Sequence, residues 1–201
     1  MVSAKSLTFA LALLVVLVLS GALSAGAGEP TDQIRTTVEK AVAILTRPDS
    51  GQDGRREELR QVLMSRFDFE EMAKRSLGPY WRKLSAPEQK EFVALFTTLL
   101  EGNYMGRIEQ YNKEHFVYTG EQTDGDYATV ETRIVTGNGR EFPLNYKLHR
   151  VAKTWLVYDL EVENIKVVNN YRAQFNRVIL NSSYQELIER MRIKGRKPSI
   201  P

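Results

Sequence analysis

The chain contains no cysteine, and His115 and His149 are its only histidines. Without cysteine no disulfide can stabilise the fold, so stability must come from the burial of apolar side chains. The same absence excludes thiol nucleophiles and cysteine-ligated metal sites, and neither histidine has the spacing of a metal-binding helix motif. We therefore expect a protein without metal or cofactor, and with few residues available for catalysis.

The chain also lacks a strong charge of either sign. It has 28 Lys and Arg residues against 25 Asp and Glu residues, a formal net charge of +3. Nucleic-acid binding requires basic residues clustered on one face, and here acidic residues are interspersed with the basic ones. The composition therefore argues against a nucleic-acid partner.

One apolar run near the N terminus is too short to span a membrane. It covers the 13 residues 7–19, follows Lys5, and is followed by Ala25-Gly26-Ala27. A membrane-spanning helix needs about 20 apolar residues, whereas a secretory signal has a basic start, a shorter apolar region and small residues before its cleavage site. The sequence thus predicts a cleaved signal peptide at 1–27, with cleavage after Ser24 as the alternative.

The remaining 174 residues are enough for one domain with a substantial core. Helix boundary signals are the N-cap candidate Asp68, the following Gly78, and the capping box of Ser85 and Glu88. Apolar spacing predicts helices at about 31–47, 55–66, 68–77, 86–111, 167–179 and 184–191. The basic tail at 195–201 is predicted to be disordered, which leaves 28–194 as the folded domain.

Between these helical regions the apolar pattern changes to the period of β-strands. Four runs rich in β-branched and aromatic residues cover 116–120, 127–136, 140–151 and 154–162. Asn138-Gly139 is a strong hairpin signal, and Pro143 inside the third run predicts a bulge or an unpaired position. The expected fold class is α+β, with helices packed on one face of a curved four-stranded antiparallel sheet.

Large apolar side chains are more numerous than one helix–sheet interface requires, as in the pairs Phe92/Phe96 and Tyr171/Phe175. They could form a filled core, the usual fate of such residues, or they could enclose a cavity for an apolar ligand. Periodicity does not distinguish the two, because both place the same faces inward.

Several segments resemble the MlaC family, and they extend over nearly all of the mature chain in the family's order. They include LGPYWRKLS at 77–85, EFVALF at 91–96, WLVYD at 155–159 and NYRAQF at 170–175. One departure is the segment at 162–165, where a glycine is commoner in the family. It affects a turn and not the ligand-binding residues.

The resemblance implies a periplasmic phospholipid-binding protein of the Mla ABC transport system, also known as a toluene-tolerance auxiliary component. Such a protein would be a monomer and not an enzyme, with a deep apolar pocket between helices and sheet. Its partners would be an inner-membrane ABC transporter with its substrate-binding lipid-transfer subunit and an outer-membrane lipoprotein–porin complex. Carrying lipid between them would maintain outer-membrane lipid asymmetry.

We expect the pocket wall to combine one stripe of the long helix with alternating strand positions. The predicted lipid-binding residues are Phe96, Leu100 and Tyr104 facing Leu144, Tyr146 and Leu148, extended by Leu156, Tyr158 and Leu160, and closed by Tyr171 and Phe175. Arg133, Lys147 and Arg172 are candidate phosphate contacts, although isolated surface cations are the simpler interpretation.

Other functions stay open at this point. A hopanoid or isoprenoid would suit the same apolar residues, and an adaptor or chaperone would use an exposed apolar groove and carry no ligand. A small isomerase-like enzyme would need Asp159 beside Tyr158, or His149 at a strand end, as its base. Adjacent strand residues point to opposite faces and His149 is expected to face solvent, so no catalytic set can be assembled.

The signal-peptide prediction has a direct test. Because the apolar run is short and Ala25-Gly26-Ala27 follows it, the exported protein should begin near Gly28 and fractionate with soluble periplasmic proteins. N-terminal sequencing of the cell fractions checks this. Recovery of Met1 on membrane-bound protein would contradict it.

Overall fold

The computed structural model describes residues 28–48, 52–111 and 113–196. The predicted signal peptide at 1–27 and residues 197–201 of the predicted tail lie outside this part of the chain. The last described helix ends at Arg196, two residues beyond the predicted domain limit of 194. No described helix is long and apolar enough to cross a membrane.

Helices occupy both ends of the described chain, as the apolar spacing predicts. Asp68 accepts a hydrogen bond from the Glu71 N–H at 2.9 Å and caps the third helix, and Gly78 ends it with a φ of +58°. The predicted capping box of Ser85 and Glu88 is present. The helices are α1 (Glu29–Thr46), α2 (Gln52–Arg66), α3 (Phe69–Leu77), a 3₁₀ helix (Gly78–Lys83), α4 (Ala86–Glu109), α5 (Val167–Asn181) and α6 (Tyr184–Arg196).

The sheet is antiparallel and follows chain order, so each strand pairs with its neighbours in sequence. All four predicted strands are confirmed, and a fifth strand of two residues, too short for a periodic pattern, pairs with the end of the fourth. The strands are β1 (His115–Asp124), β2 (Tyr127–Val135), β3 (Glu141–Val151), β4 (Thr154–Val162) and β5 (Ile165–Lys166).

The bulges of the sheet do not lie at Pro143, where the sequence predicted one. Pro143 pairs with Arg133 in regular register, and its carbonyl accepts from the Glu163 N–H at 3.1 Å. Since the N–H and C=O of a strand residue point the same way, the N–H that proline lacks would also face the end of β4. Register shifts instead skip Thr119 in β1 and Tyr158 in β4, the latter between the pairs Lys147–Asp159 and Leu148–Val157. Of the two alternatives predicted for Pro143, the bulge is wrong, whereas the residue is unpaired on its β4 side, where the pairing begins at Leu144.

Two main apolar clusters form the core. The sheet cluster places Ile34 of α1 against the inner face of β2, β3 and β4, including Val130 and Leu148. The helix cluster joins α3, α4, α5 and α6. A smaller cluster joins α1, α2 and α4 through Leu59 and Met105. The helices and the sheet thus have separate cores, and Phe67, Leu160 and Val162 contact both main clusters.

Asp68 joins α3 to the sheet as well as capping the helix. Its Oδ2 lies 2.9 Å from Nε2 of His149 on β3, and both side chains are four-fifths buried. Asp68→Ala should lower the free energy of unfolding by about 1–2 kcal/mol, because an N-cap and a partly buried hydrogen bond are lost together. Urea denaturation measures this.

The matched control is Asp126→Ala, which removes an exposed carboxylate paired with Arg150 at 2.7 Å. An exposed ion pair contributes about 0–1 kcal/mol, so this variant should unfold close to the wild type. Equal losses in the two variants would contradict the capping role of Asp68.

Candidate functional site

An apolar cavity lies where the three clusters meet. Its walls come from the end of α2, the α2–α3 junction, α3, the second half of α4, β4 and the start of α5. The apolar lining side chains are Leu63, Met64, Phe67, Phe69, Met72, Leu100, Tyr104, Met105, Ile108, Leu160 and Val167. The site therefore has the surface of a binding pocket for a hydrocarbon.

The cavity encloses about 90 Å³. Pockets that bury a small-molecule ligand usually measure about 300–1,000 Å³. This conformation therefore has room for only part of a lipid chain, and a larger ligand requires one wall to move.

Two charged side chains lie at the margin of the cavity within the described part of the chain. Arg60 Nε of α2 and Glu101 Oε1 of α4 are 2.8 Å apart. The same two residues, with Met64, also line a groove of about 530 Å³ outside the cavity, whose lining mixes polar and apolar side chains. The ion pair thus forms part of the partition between the apolar space and the groove.

Helix α2 is the wall with the weakest apolar attachment. Leu59 is its fully buried side chain, and it packs against α1 and α4. Its other links are largely polar: Arg47–Glu58 joins it to α1, and Arg56–Glu109 and Arg60–Glu101 join it to α4. Exposed ion pairs contribute little to stability, so the side of α2 that faces α4 can separate from it at little cost. The end of α2 stays attached through Arg66, which donates to Thr37, Gln33 and the Trp155 carbonyl at 2.6–3.0 Å.

Two phenols lie at or near the cavity wall. Tyr104 lines the cavity, and the hydroxyl of Tyr171 accepts a hydrogen bond from Nδ2 of Asn103, the residue before Tyr104, at 2.7 Å. Burial raises the pKa of Tyr104, and it raises the pKa of Tyr171 to about 12. Both side chains are therefore neutral near pH 7, and they add no charge to the apolar wall.

The residues predicted to bind lipid fall into four groups. Leu100, Tyr104 and Leu160 line the cavity. Phe96, Tyr171 and Phe175 belong to the helix cluster, where their rings stack edge to face or tilted at 5.5–6.0 Å. Leu144, Tyr146 and Leu148 belong to the sheet cluster with Ile34 of α1, and not to the cluster of α4 that they were expected to face. The fourth group is Leu156 and Tyr158.

Leu156 and Tyr158 do not share a face with Leu160. The bulge at Tyr158 interrupts the alternation, so that Val157 and Leu160 both point inward while Leu156 opposes His149 on the other face. The Tyr158 ring packs against His149 at 5.7 Å and beneath the Arg75 guanidinium at 4.1 Å. The predicted single face through these three positions is therefore wrong, because a bulge moves every later side chain to the opposite face.

The candidate catalytic residues occupy structural positions outside the cavity lining. His149 does not face solvent as expected, because it is bound to Asp68. Asp159 accepts from the N–H groups of Leu160 and Val168 at 2.8 and 2.9 Å and so holds the start of α5. Among the described residues, no group of three or more acidic or histidine side chains is placed to hold a metal ion.

The predicted phosphate contacts also lie elsewhere. Arg133 pairs with Glu141 at 3.2 Å, and Lys147 donates to Thr129 at 3.2 Å. Arg172 packs its guanidinium against Gly78, where a Cβ would lie within 2.8 Å of it. None of the three is among the residues that line the cavity.

Sequence reasoning missed the wall formed by α2, the α2–α3 junction and α3. Its members are Leu63, Met64, Phe67, Phe69 and Met72. A signal was present, since Leu59, Leu63 and Phe67 recur every four residues. The charged residues between them obscured it, because they make α2 resemble a solvated surface helix.

The fold and this cavity define a class of α+β protein in which helices and a curved antiparallel sheet flank an apolar binding space. The family model of the MlaC protein matches residues 35–193. The chain therefore belongs to the MlaC family.

Named relatives and a solved structure agree with this assignment. The intermembrane phospholipid transport system binding protein MlaC of Haemophilus influenzae is 22% identical over 147 residues, covering 71% of this chain and 69% of the relative. The toluene tolerance protein ttg2D of Pseudomonas putida is 24% identical over 173 residues, covering 81% and 79%. A phospholipid-binding protein from Ralstonia solanacearum, solved in complex with a phospholipid, has the same fold, with a TM-score of 0.74, 20% identity, and coverage of 84% of this chain and 97% of that one.

Asp159 generates a prediction on pH dependence. Burial raises the pKa of its carboxyl above the ordinary 3.8, despite the two backbone hydrogen bonds. A raised pKa means that the folded state holds the proton more tightly than the unfolded state, so stability falls as pH rises through this range. Asp159→Asn keeps a carbonyl acceptor without the charge. It should therefore gain stability relative to the wild type as pH rises above 3.8.

Urea denaturation of both proteins at several pH values measures this difference. Asp159→Ala serves as the control. It removes the hydrogen-bond acceptor, so it should be less stable than Asp159→Asn at every pH. If the wild type gained stability over Asp159→Asn as pH rose, the carboxylate would be net stabilising and the prediction would fail.

Proposed function

We propose that this protein is a periplasmic phospholipid carrier and that the cavity between α2, α3, α4 and β4 holds acyl chain. The observation that carries the proposal is an apolar cavity with charged side chains only at its margin, in the part of the chain that the structure describes. Membership of the MlaC family, and the phospholipid named for the relatives, support this cargo.

The energetics of lipid transfer require enclosure. Each methylene costs about 0.8 kcal/mol to expose to water, so a lipid with about 30 of them costs about 24 kcal/mol. A carrier must therefore surround both chains, and the cavity must enlarge several-fold from its 90 Å³. Movement of α2 away from α4 supplies that volume while leaving the helix and sheet clusters intact.

Transfer between membranes also requires partners. Moving acyl chains from a bilayer into an apolar cavity is nearly balanced in free energy, so direction must come from ATP hydrolysis elsewhere. The proposed partners are an inner-membrane ABC transporter with its lipid-transfer subunit and an outer-membrane lipoprotein–porin complex. Exchange between them would maintain outer-membrane lipid asymmetry.

The alternatives differ in what the cavity would contain. A hopanoid or isoprenoid would use the same walls, and only chemical identification of the ligand separates it from phospholipid. The enzyme alternative is disfavoured because Asp159 and His149 bind backbone or side-chain partners outside the cavity lining. The adaptor alternative predicts an empty cavity in the native protein.

Native mass spectrometry of protein purified without detergent tests the proposal. About one phospholipid per chain, released by organic extraction, is the expected result. Folded protein with no bound lipid, or with turnover of a lipid ester that survives repurification, would overturn it.

A matched pair of substitutions tests the position of the pocket. Leu100 and Leu144 are 6% and 9% exposed, but only Leu100 lines the cavity. Leu100→Phe should lower the lipid content per folded chain with little effect on the stability of delipidated protein, because the ring occupies acyl-chain space. Leu144→Phe should cost about 1–3 kcal/mol by overpacking the sheet cluster, with unchanged lipid content.

Both quantities are measured on each variant, lipid content by native mass spectrometry and stability by urea denaturation. The reverse pattern, with lipid lost in Leu144→Phe alone, would restore β3 as the pocket wall.

A further inference from the structure

We infer that Arg60 binds the phosphate of the cargo, exchanging its Glu101 partner for the lipid headgroup when acyl chains enter the cavity. This inference rests on the proposed carrier function and adds a headgroup site to it.

The position of Arg60 supports this role. Arg60, Met64 and Glu101 line both the apolar cavity and the groove outside it. A lipid with its chains in the cavity and its headgroup in the groove would therefore cross the boundary that these three side chains form. Its phosphate, which joins the polar and apolar parts of the molecule, would lie at that boundary.

The chemistry of the ion pair also fits. Arg60 uses Nε toward Glu101 at 2.8 Å, and its Nη1 lies 3.9 Å from Glu57. A guanidinium binds phosphate through two parallel hydrogen bonds, so the phosphate offers more than this carboxylate contact provides. Arg60 is 41% exposed and Glu101 is 24% exposed, so the carboxylate can turn to solvent when it is displaced.

The groove has the composition to hold the rest of a headgroup. Besides Arg60 and Glu101, its charged and polar lining side chains are Lys90, Glu70, Gln89, Thr97 and Thr98, and its apolar ones are Met64, Trp81, Ala86, Val93 and Ala94. Its 530 Å³ exceeds the cavity volume, and its lining mixes polar and apolar side chains, whereas the cavity lining is apolar apart from Arg60 and Glu101. Arg60 lies between the two spaces, so the polar part of a phospholipid would lie on the groove side.

A competing explanation is that Arg60–Glu101 only holds α2 to α4. The molecule contains a control for this, because Arg56 and Glu109 join the same two helices at 2.9 Å with similar exposures of 48% and 24%. Arg56 does not line the cavity or the groove. If Arg60 only held α2 to α4, replacing either arginine should change lipid binding equally. If Arg60 binds the headgroup, only its replacement should weaken the binding of a phospholipid.

The experiment measures binding of three probes to delipidated wild type, Arg60→Gln, Arg60→Lys and Arg56→Gln. The probes are dioleoylphosphatidylglycerol, dioleoylglycerol, which lacks the phosphate, and glycerol 3-phosphate, which lacks the chains. Arg60→Gln should weaken phosphatidylglycerol binding by about tenfold and leave dioleoylglycerol within about twofold. Arg60→Lys should recover part of the loss, and Arg56→Gln should match the wild type.

Glu101→Gln supplies an independent readout. Because it removes the carboxylate that competes with phosphate for Arg60, it should bind phosphatidylglycerol at least as tightly as the wild type. A tether that merely kept α2 in place would instead make Glu101→Gln resemble Arg60→Gln.

The contrary outcomes are distinct. Equal losses in Arg60→Gln and Arg56→Gln, or equal losses for both lipids, would overturn the headgroup site and leave the carrier function standing. Tight binding of glycerol 3-phosphate that depends on Arg60 would assign the site to a free phosphate. A wild type that binds neither lipid would overturn the proposed function itself.

Discussion

The attachment of the α2–α3 junction to β4 determines how the helices sit on the sheet. The Asp68 N–H donates to the Val157 carbonyl at 2.9 Å, and Phe67 forms a parallel bridge to the same residue. The Asp68 carboxylate then caps α3 and reaches His149 on β3. Because two adjacent residues bind two strands and one helix, α3 and the elements packed on it have a fixed position relative to the sheet.

The cavity is a consequence of that attachment. Phe67 contacts both main clusters and also lines the cavity, so the space begins where the two cores are held together but not merged. The bulge at Tyr158 turns Leu160 inward and adds β4 to the wall. Each cluster can be closely packed while a space stays open between them, because the side chains of a cluster pack against one another.

The two kinds of contact around the cavity are those that the proposed lipid carrier would need in order to hold and release its cargo. Apolar burial gives α3, α4 and α5 a stable arrangement, and its contribution grows with buried area. The contacts that join α2 to α4 include half-exposed ion pairs, which water replaces at little cost. A wall that opens in this way leaves the helix and sheet clusters unchanged and separates only the smaller cluster of Leu59 and Met105.

The sequence determined the local features of this protein. Asp68, Gly78, Ser85 and Asn138-Gly139 predicted helix and hairpin boundaries that the structure has, because capping and turn formation depend on residues a few positions apart. It also predicted the apolar side chains that had to be buried. Leu100, Tyr104 and Leu160, three of the predicted lipid-binding residues, line the cavity.

Only the tertiary structure decided which buried faces meet. The alternation of apolar residues predicted that Leu156 and Tyr158 share a face with Leu160. A one-residue bulge at Tyr158 places Leu156 and Leu160 on opposite faces, and no local sequence pattern predicts that bulge. Leu144, Tyr146 and Leu148 pack under α1, more than 100 residues away in the chain, and α2 supplies the wall that its charges concealed. Burial requires a partner but does not choose it, because the hydrophobic effect is non-directional, so the fold as a whole makes the choice.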